Sequence, residues 1–189
     1  MHKPNNEVSA GIDAAAAGIA RNVCEREASH ASGRYHVECR DSGGKLIWSD
    51  DIENIVTTVG GNDALDKYLA GSAYTAAWYL GLISSASYVS VPVLADTAAS
   101  HATWTEDQNY SQSTRPAAAW SSASGKSKAF SSPLTFTMNA GTTLKGCFLI
   151  SNSTKGGTTG ILFSAGLFSG GDQPVVAGNT VTVSYTASI

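Results

Sequence analysis

The feature that most constrains the fold is an alternation of apolar and hydroxyl-bearing residues in the second half of the chain. It is clearest between Thr180 and Ala187, where Val181, Val183 and Tyr185 fall on one side and Ser and Thr residues on the other. Successive side chains of a strand point to opposite faces of a sheet, so this period of two predicts a half-buried β-strand. Glycine-rich turns between similar segments favour antiparallel sheet for most of the chain.

Charge is distributed unevenly and limits the classes of protein to consider. Residues 1–71 carry 18 charged side chains, whereas residues 72–189 carry 9 together with 35 Ser and Thr residues. The net charge of −3 and the absence of a basic cluster exclude a nucleic-acid binder, since phosphate neutralisation needs grouped Lys and Arg. No apolar run is long enough for a membrane span. The polar first residues predict no secretory signal peptide and folding in the cytoplasm.

Local patterns predict a mainly β chain. Asn62 and Asp63 can cap one short internal helix, Ala64 to Leu69, and the 84–128 region has no strong period, so we expect short strands hidden within it. The predicted strands are a hairpin with Tyr35 to Cys39 and Leu46 to Trp48 around the turn Asp41 to Gly44, then 52–59, 78–83, 129–138, 143–150, 160–165 and 180–187. These elements predict an antiparallel β-sandwich, jelly-roll-like, formed by residues 34–189.

The first 33 residues are predicted to form a helical arm. Ser9 can cap a helix that runs to His30, and its narrow apolar stripe comprises Ile12, Ala16, Ile19 and Val23. Such a stripe is only marginally stable alone and needs a partner. Two hypotheses follow: the helix packs on its own domain, or it docks as an arm on a neighbouring subunit.

The three cysteines, Cys24, Cys39 and Cys147, predict no disulfide framework. Their number is odd and no Cys-x-x-Cys pair is present, which fits reduced, buried structural thiols.

One cluster of polar residues is a candidate for chemistry. His101 lies five residues from Asp96 and five from Glu106, and these three residue types could ligate a metal or transfer protons. The competing interpretation is that His101 and Glu106 fasten a loop by hydrogen bonds while Trp104 packs beneath it. Arg115 is expected to pin the long loop to carbonyls or carboxylates rather than to bind a ligand.

Other catalytic motifs are incomplete. Ser124-Gly125-Lys126-Ser127 is similar to the end of a phosphate-binding loop, but Trp120 stands where the first glycine is needed. Gly-x-Ser-x-Gly is absent. We therefore expect no enzyme activity, no catalytic residue, no cofactor and no bound metal, with a metal-dependent enzyme that uses Asp96, His101 and Glu106 as a remote alternative.

An ordered set of segments across residues 44–189 resembles a family of tailed-bacteriophage and prophage virion proteins. The segments are Asn54 to Gly60 with Leu65 and Leu69, Trp78 to Ile83, Asp96-Thr97 with His101, Trp104 and Glu106, Tyr110 with Arg115-Pro116, Gly146 to Leu149, Gly160 to Ser164, Phe168, and Val181 to Thr186. The resemblance implies a β-sandwich component of the virus particle with no catalytic residues.

Within that class we expect a capsid decoration or cement protein. It would bind the major capsid protein on the outer surface of the head and associate with itself, for example as a trimer, without nucleic-acid or membrane partners. The alternative is a tail or fibre component, an adhesin that contacts the host surface through exposed aromatics such as Trp104, Tyr110 and Trp120.

Overall fold

The computed structural model describes residues 31–69 and 77–189. The predicted helix from Ser9 to His30, almost all of the predicted arm and Cys24 lie outside the described residues.

The described chain folds into two antiparallel sheets with one helix. The elements are β1 Ser32–Arg40, β2 Leu46–Glu53, β3 Ile55–Val56, α1 Thr58–Leu69, β4 Tyr79–Ser84, β5 Thr105–Asp107, β6 Ser127–Ala129, β7 Leu134–Thr137, β8 Thr142–Ile150, β9 Leu162–Leu167, β10 Gln173–Val175 and β11 Thr180–Ser188. The prediction of a mainly β, antiparallel sandwich is confirmed.

The first sheet is built around β11, the strand with the clearest sequence pattern. Its order is β2, β1, β11, after which β7 pairs with the first half of β11 and β6 with its end. In the β1–β11 pair, Tyr35 lies opposite Tyr185 and Val37 opposite Val183. The first and last described strands are therefore neighbours, and Ser32 lies opposite Ser188.

The second sheet has the order β3, β9, β8, β4, β5, with β10 also pairing with β8. The inner strand β4, between β8 and β5, is buried along almost its whole length, as its continuous apolar sequence predicted. The chain changes sheets after β2, β5, β7 and β10, so both sheets contain strands from distant parts of the sequence.

The main core fills the space between the sheets. Val37 from β1, Leu80 from β4, Leu149 from β8 and Val183 from β11 are all fully or almost fully buried in it. Polar bonds also join the sheets: the hydroxyl of Tyr35 lies 2.7 Å from Ser164 Oγ, and burial raises the pKa of Tyr35 well above its ordinary value. Cys39 and Cys147 are free, buried thiols in this core, as predicted.

A third layer covers the outer face of the second sheet. Trp104 and Ala98, from the segment between β4 and β5, pack on Ile83 and Phe148 in a second apolar cluster. We call residues 85–104 the cover segment. The 84–128 region also contains the short strand β5 and the start of β6, so the expectation of hidden strands is confirmed.

The internal helix is longer than predicted and begins earlier. α1 begins at Thr58 rather than Ala64, and Thr57 Oγ1 accepts a hydrogen bond of 3.1 Å from the amide of Gly60, as an N-cap residue does. The predicted strand over 52–59 is consequently divided between β2, β3 and the helix. Gly60 lies within the helix, and its missing side chain lets the helix backbone approach Phe163.

Three other features of the strands differ from the predictions. The segment 129–138 is two strands, since Pro133 and its neighbours interrupt the pairing between β6 and β7. The strand predicted at 160–165 begins at Leu162, after Gly160 in a left-handed conformation. The short strand β10 was missed because it contains Pro174, which lowers the strand signal.

Candidate functional site

The predicted cluster of Asp96, His101 and Glu106 is divided by the fold into two separate arrangements. Asp96 Oδ2 accepts hydrogen bonds from Trp104 Nε1 at 2.9 Å and from the amide of Val93 at 3.0 Å. The His101 ring stacks at 4.2 Å on Trp104, and its Nδ1 lies 3.1 Å from the carbonyl oxygen of Thr97. Asp96 and His101 thus shape the cover segment around the buried indole of Trp104.

Glu106 is occupied by Arg115. Its two carboxylate oxygens accept hydrogen bonds from Arg115 Nε at 2.9 Å and Nη2 at 2.8 Å, and both side chains are almost completely buried. The guanidinium also donates to the carbonyl oxygens of Asn152 and Gly157, each at 2.9 Å. We call the Glu106–Arg115 pair the clasp, because it joins the long loop to β5 and to the loop between β8 and β9.

Two further groups complete the surroundings of the clasp. The Tyr110 hydroxyl donates to Glu106 Oε1 at 3.2 Å, and burial together with the Glu106 charge raises the pKa of Tyr110 far above its ordinary value. The amide of Gly156 donates to Glu106 Oε2 at 2.6 Å. Lys155 Nζ donates to the carbonyl oxygen of Tyr110 at 2.6 Å and lies 3.9 Å from the centre of its ring.

This arrangement has little capacity for chemistry. The donors and acceptors of the clasp bind each other, and among residues 31–69 and 77–189 no three His, Cys, Asp or Glu side chains are grouped to hold a metal ion. A cavity of about 230 Å³ lies beside it, bordered by His101, Glu106 and Arg115. The geometry agrees with loop fastening by His101 and Glu106 over a packed Trp104, and with pinning of the long loop by Arg115.

The segment from Ser124 to Ser127 is a tight turn. Gly125 and Lys126 both have positive φ, of 57° and 62°, and the amides of Ser124 and Ser127 bond each other's carbonyl oxygens. These amides are used within the turn, so the likeness to a phosphate-binding loop does not extend to its geometry.

The outer face of the first sheet is a polar surface that no described residue covers. Asp51, on the edge strand β2, lies 2.9 Å from Arg34 Nη2 and 2.9 Å from His36 Nδ1, while Glu38 pairs with Arg40 at 2.8 Å. The bond from His36 lowers the pKa of Asp51, and the bond from Arg40 lowers that of Glu38. Half-buried hydroxyls, among them Thr182, Ser184 and Thr186 of β11, continue the face beside these charges.

A second exposed surface is apolar, and sequence reasoning missed it. Val89, Val91, Val93 and Leu94 of the cover segment have exposed fractions of 75, 56, 47 and 59%. We call residues 89–94 the valine strip. Its backbone is anchored at both ends, since the amide of Val89 bonds Thr103 and the carbonyl of Leu94 accepts from Thr58. Period-two valines were the available signal, but they also fit a strand buried on one face.

Of the three aromatics expected to be exposed on an adhesin, two are buried. Trp104 is 1% exposed and Tyr110 is fully buried, so that expectation is wrong for both residues. Each ring is amphipathic and finds a hydrogen-bond partner inside the fold. Trp120 is half-buried and borders an apolar cleft of about 220 Å³ with Trp78 and Phe163.

Comparisons with known proteins add no family to this description. No protein-family model matches the chain, and no curated protein matches its sequence. Within the described ranges, no helix has the length and apolar character needed to cross a membrane.

Proposed function

We propose that the chain is a structural protein of a tailed-bacteriophage virion, a capsid decoration or cement protein that binds the major capsid protein on the outer surface of the head. It acts by binding and carries out no catalysis. In the assembled particle it associates with further copies of itself, and a trimer is one such arrangement. The family resemblance of residues 44–189 motivates this assignment.

The observation that carries the proposal is the uncovered polar face of the first sheet. A face of hydroxyls and paired charges on β1, β2 and β11 offers many hydrogen-bonding groups on a rigid frame. Contact surfaces between separately folded proteins are about as polar as the rest of a protein surface, so a polar face is compatible with such a contact. Bonds between the sheets, such as that of Tyr35 with Ser164, hold this frame to the second sheet, which suits a protein that must resist expansion of a shell.

The residues considered for catalysis support a binding role rather than an enzymatic one. Asp96, His101 and Glu106 each bond to groups of the cover segment or the clasp. The exposed polar groups lie on the outer face of the first sheet instead. Burial of Trp104 and Tyr110 removes two of the three exposed aromatics on which the adhesin alternative was based.

The test measures binding of the purified full chain to phage capsids that lack it. We expect the chain to co-sediment with the capsids and Thr182→Arg/Ser184→Arg, on the outer face of β11, to bind at least about tenfold more weakly. Ala99→Arg is the matched control, since Ala99 is exposed on the cover segment of the other sheet. Its binding should equal that of the wild type.

Two results would overturn the proposal. One is failure of the wild-type chain to bind capsids. The other is fractionation of virions that finds the chain in tails and not in heads.

A further inference from the structure

A cavity of about 230 Å³ lies between the cover segment, the second sheet and the loop between β8 and β9. Its floor consists of five buried residues of the second apolar cluster: Ala98, Trp104, Phe148, Ile150 and Leu162. Exposed residues also line it, among them Gln108 and Thr158, so the cavity opens to solvent on their side. It is a concave site with an apolar floor and an entrance.

The cavity is lined by a hydrogen-bond donor that the fold does not use fully. Arg115 lines the cavity, and its side chain is only 2% exposed. A guanidinium has five N–H groups, and Glu106 together with the carbonyl oxygens of Asn152 and Gly157 binds four of them. The second N–H of Nη1 has no partner among the described residues. A ligand that supplies an acceptor can satisfy this buried donor.

An unused acceptor lines the same cavity. His101 Nδ1 lies 3.1 Å from the carbonyl oxygen of Thr97, and a carbonyl oxygen only accepts, so Nδ1 carries the proton. In the neutral ring Nε2 is then an acceptor, and no described residue donates to it. Both hydrogen-bonding roles, donor and acceptor, are thus open to a ligand in the cavity.

The charges around the cavity favour a neutral ligand. Arg115 and Glu106 are the lysine-, arginine- or carboxylate-type side chains among its lining residues, and they neutralise each other at 2.8 Å. An anionic ligand would lose its hydration to meet a cation that is already paired, and a cationic ligand would meet a carboxylate that is already paired. Neither charge would be compensated in the cavity.

The volume and the position of the polar groups favour a single aromatic ring. An apolar cavity of about 150 Å³ accommodates benzene, so this larger one accommodates a six-membered ring with one or two substituents. A monosaccharide has hydroxyls around its whole ring, and those against Phe148 and Leu162 would be buried without partners. An aromatic ring with a polar edge places its apolar part on the floor and leaves the polar edge for Arg115 and His101.

We propose that this cavity binds a small phenol, a neutral single-ring compound with one or two hydroxyl groups. The ring packs on Phe148 and Ile150. Its hydroxyl groups accept a hydrogen bond from Arg115 and donate one to His101, since a hydroxyl can take both roles. This binding needs no capsid partner and does not depend on the proposed virion function.

NMR titration of the ¹⁵N-labelled full chain with phenol tests the proposal. We expect the amide signals of Gly156, Gly157 and Thr158, which line the cavity, to shift with a Kd of about 1 mM or lower. Toluene, which lacks the hydroxyl, and benzoate, which is charged, should each bind at least about tenfold more weakly. Glucose at the same concentrations should cause no shift.

Two variants identify the groups that bind phenol. His101→Phe keeps a ring beside Trp104 but removes Nε2, so it should reduce the preference for phenol over toluene at least about fivefold. Both compounds are measured on the same variant, so a change in stability does not alter this ratio. Thr158→Trp narrows the entrance and should weaken phenol binding at least about tenfold, whereas Thr135→Trp, at an exposed position of β7, should bind as the wild type does.

Four results would overturn the proposal. Toluene that binds as tightly as phenol would show that the hydroxyl has no partner in the cavity. Saturable shifts confined to residues outside the cavity, or no saturable shift at all, would show that phenol does not bind there. Binding of glucose in place of phenol would assign the cavity to carbohydrate.

Discussion

Among single residues, Arg115 shows most directly how burial decides the role of a polar group. Its guanidinium is almost completely buried and bonds Glu106 and two backbone carbonyls. In contrast, Arg34 pairs with Asp51 at a similar distance of 2.9 Å, but both side chains are about half exposed to solvent. Water screens the second pair and not the first, so equal geometry should have unequal consequences for stability.

We expect Arg115→Met to lower the free energy of unfolding by about 3–5 kcal/mol, because it leaves Glu106 buried without its counter-charge. Arg34→Met should lower it by at most about 1 kcal/mol. Urea denaturation of the two variants beside the wild type measures both values. Equal losses would show that the clasp contributes no more than a surface ion pair.

Among the elements, α1 shows how a tertiary contact gives two neighbouring glycines different structural roles. Gly60 and Gly61 lie in its first turns, where sequence reasoning placed the end of a strand. A Cβ atom on Gly60 would lie 2.5 Å from the carbonyl oxygen of Phe163 in β9, whereas one on Gly61 would have no atom within 4 Å. One glycine is therefore required by packing and its neighbour is not.

Alanine substitutions should separate the two glycines. Gly61→Ala is expected to raise the free energy of unfolding by about 0.5–1 kcal/mol through helix propensity. Gly60→Ala should lower it by about 1–3 kcal/mol, since the helix must move away from β9. Thermal unfolding followed by circular dichroism provides the comparison. Stabilisation by both substitutions would contradict the close approach of α1 to β9.

At the scale of the whole molecule, polar bonds between the sheets make stability depend on pH. Asp50 in β2 accepts hydrogen bonds from Ser169 Oγ at 2.5 Å and from the amide of Gly170 at 2.7 Å, both in the loop after β9. Burial alone would raise the pKa of Asp50, but these bonds and one from the amide of Asp51 outweigh burial and lower it. The carboxylate form thus ties the two sheets together.

Because folding lowers the pKa of Asp50, the direction in which pH changes its contribution to stability is defined. Asp50 stabilises the fold above its unfolded-state pKa of about 3.9, and this contribution is lost as pH falls through the lower, folded-state pKa. Asp50→Asn should therefore lower the free energy of unfolding by about 1–3 kcal/mol at pH 7. Its difference from the wild type should shrink below about pH 4.

Denaturant titrations of Asp50→Asn across this pH range provide the measurement. Asp66→Asn is the control, because Asp66 is exposed on α1 and its substitution should change stability by less than about 0.5 kcal/mol at either pH. A difference between Asp50→Asn and the wild type that persists unchanged at pH 3 would contradict the role of the ionised carboxylate.

The sequence by itself determined the local features of this protein. The period of two in β11, the turn between β1 and β2 and the continuous apolar run of β4 follow from side-chain alternation and turn chemistry, which act over a few neighbouring residues. The same reasoning anticipated that Arg115 would pin the long loop, because a lone arginine in a neutral region needs local acceptors. It also anticipated reduced, buried Cys39 and Cys147.

Only the tertiary structure decided which distant groups meet. The start of α1, the division of the Asp96, His101 and Glu106 cluster, the burial of Tyr110 and the exposure of the valine strip all depend on how the sheets and the cover segment pack. Alternating valines have the same local pattern whether their face is covered or not. Burial is a property of the partner surface, and that surface comes from residues far away in the sequence.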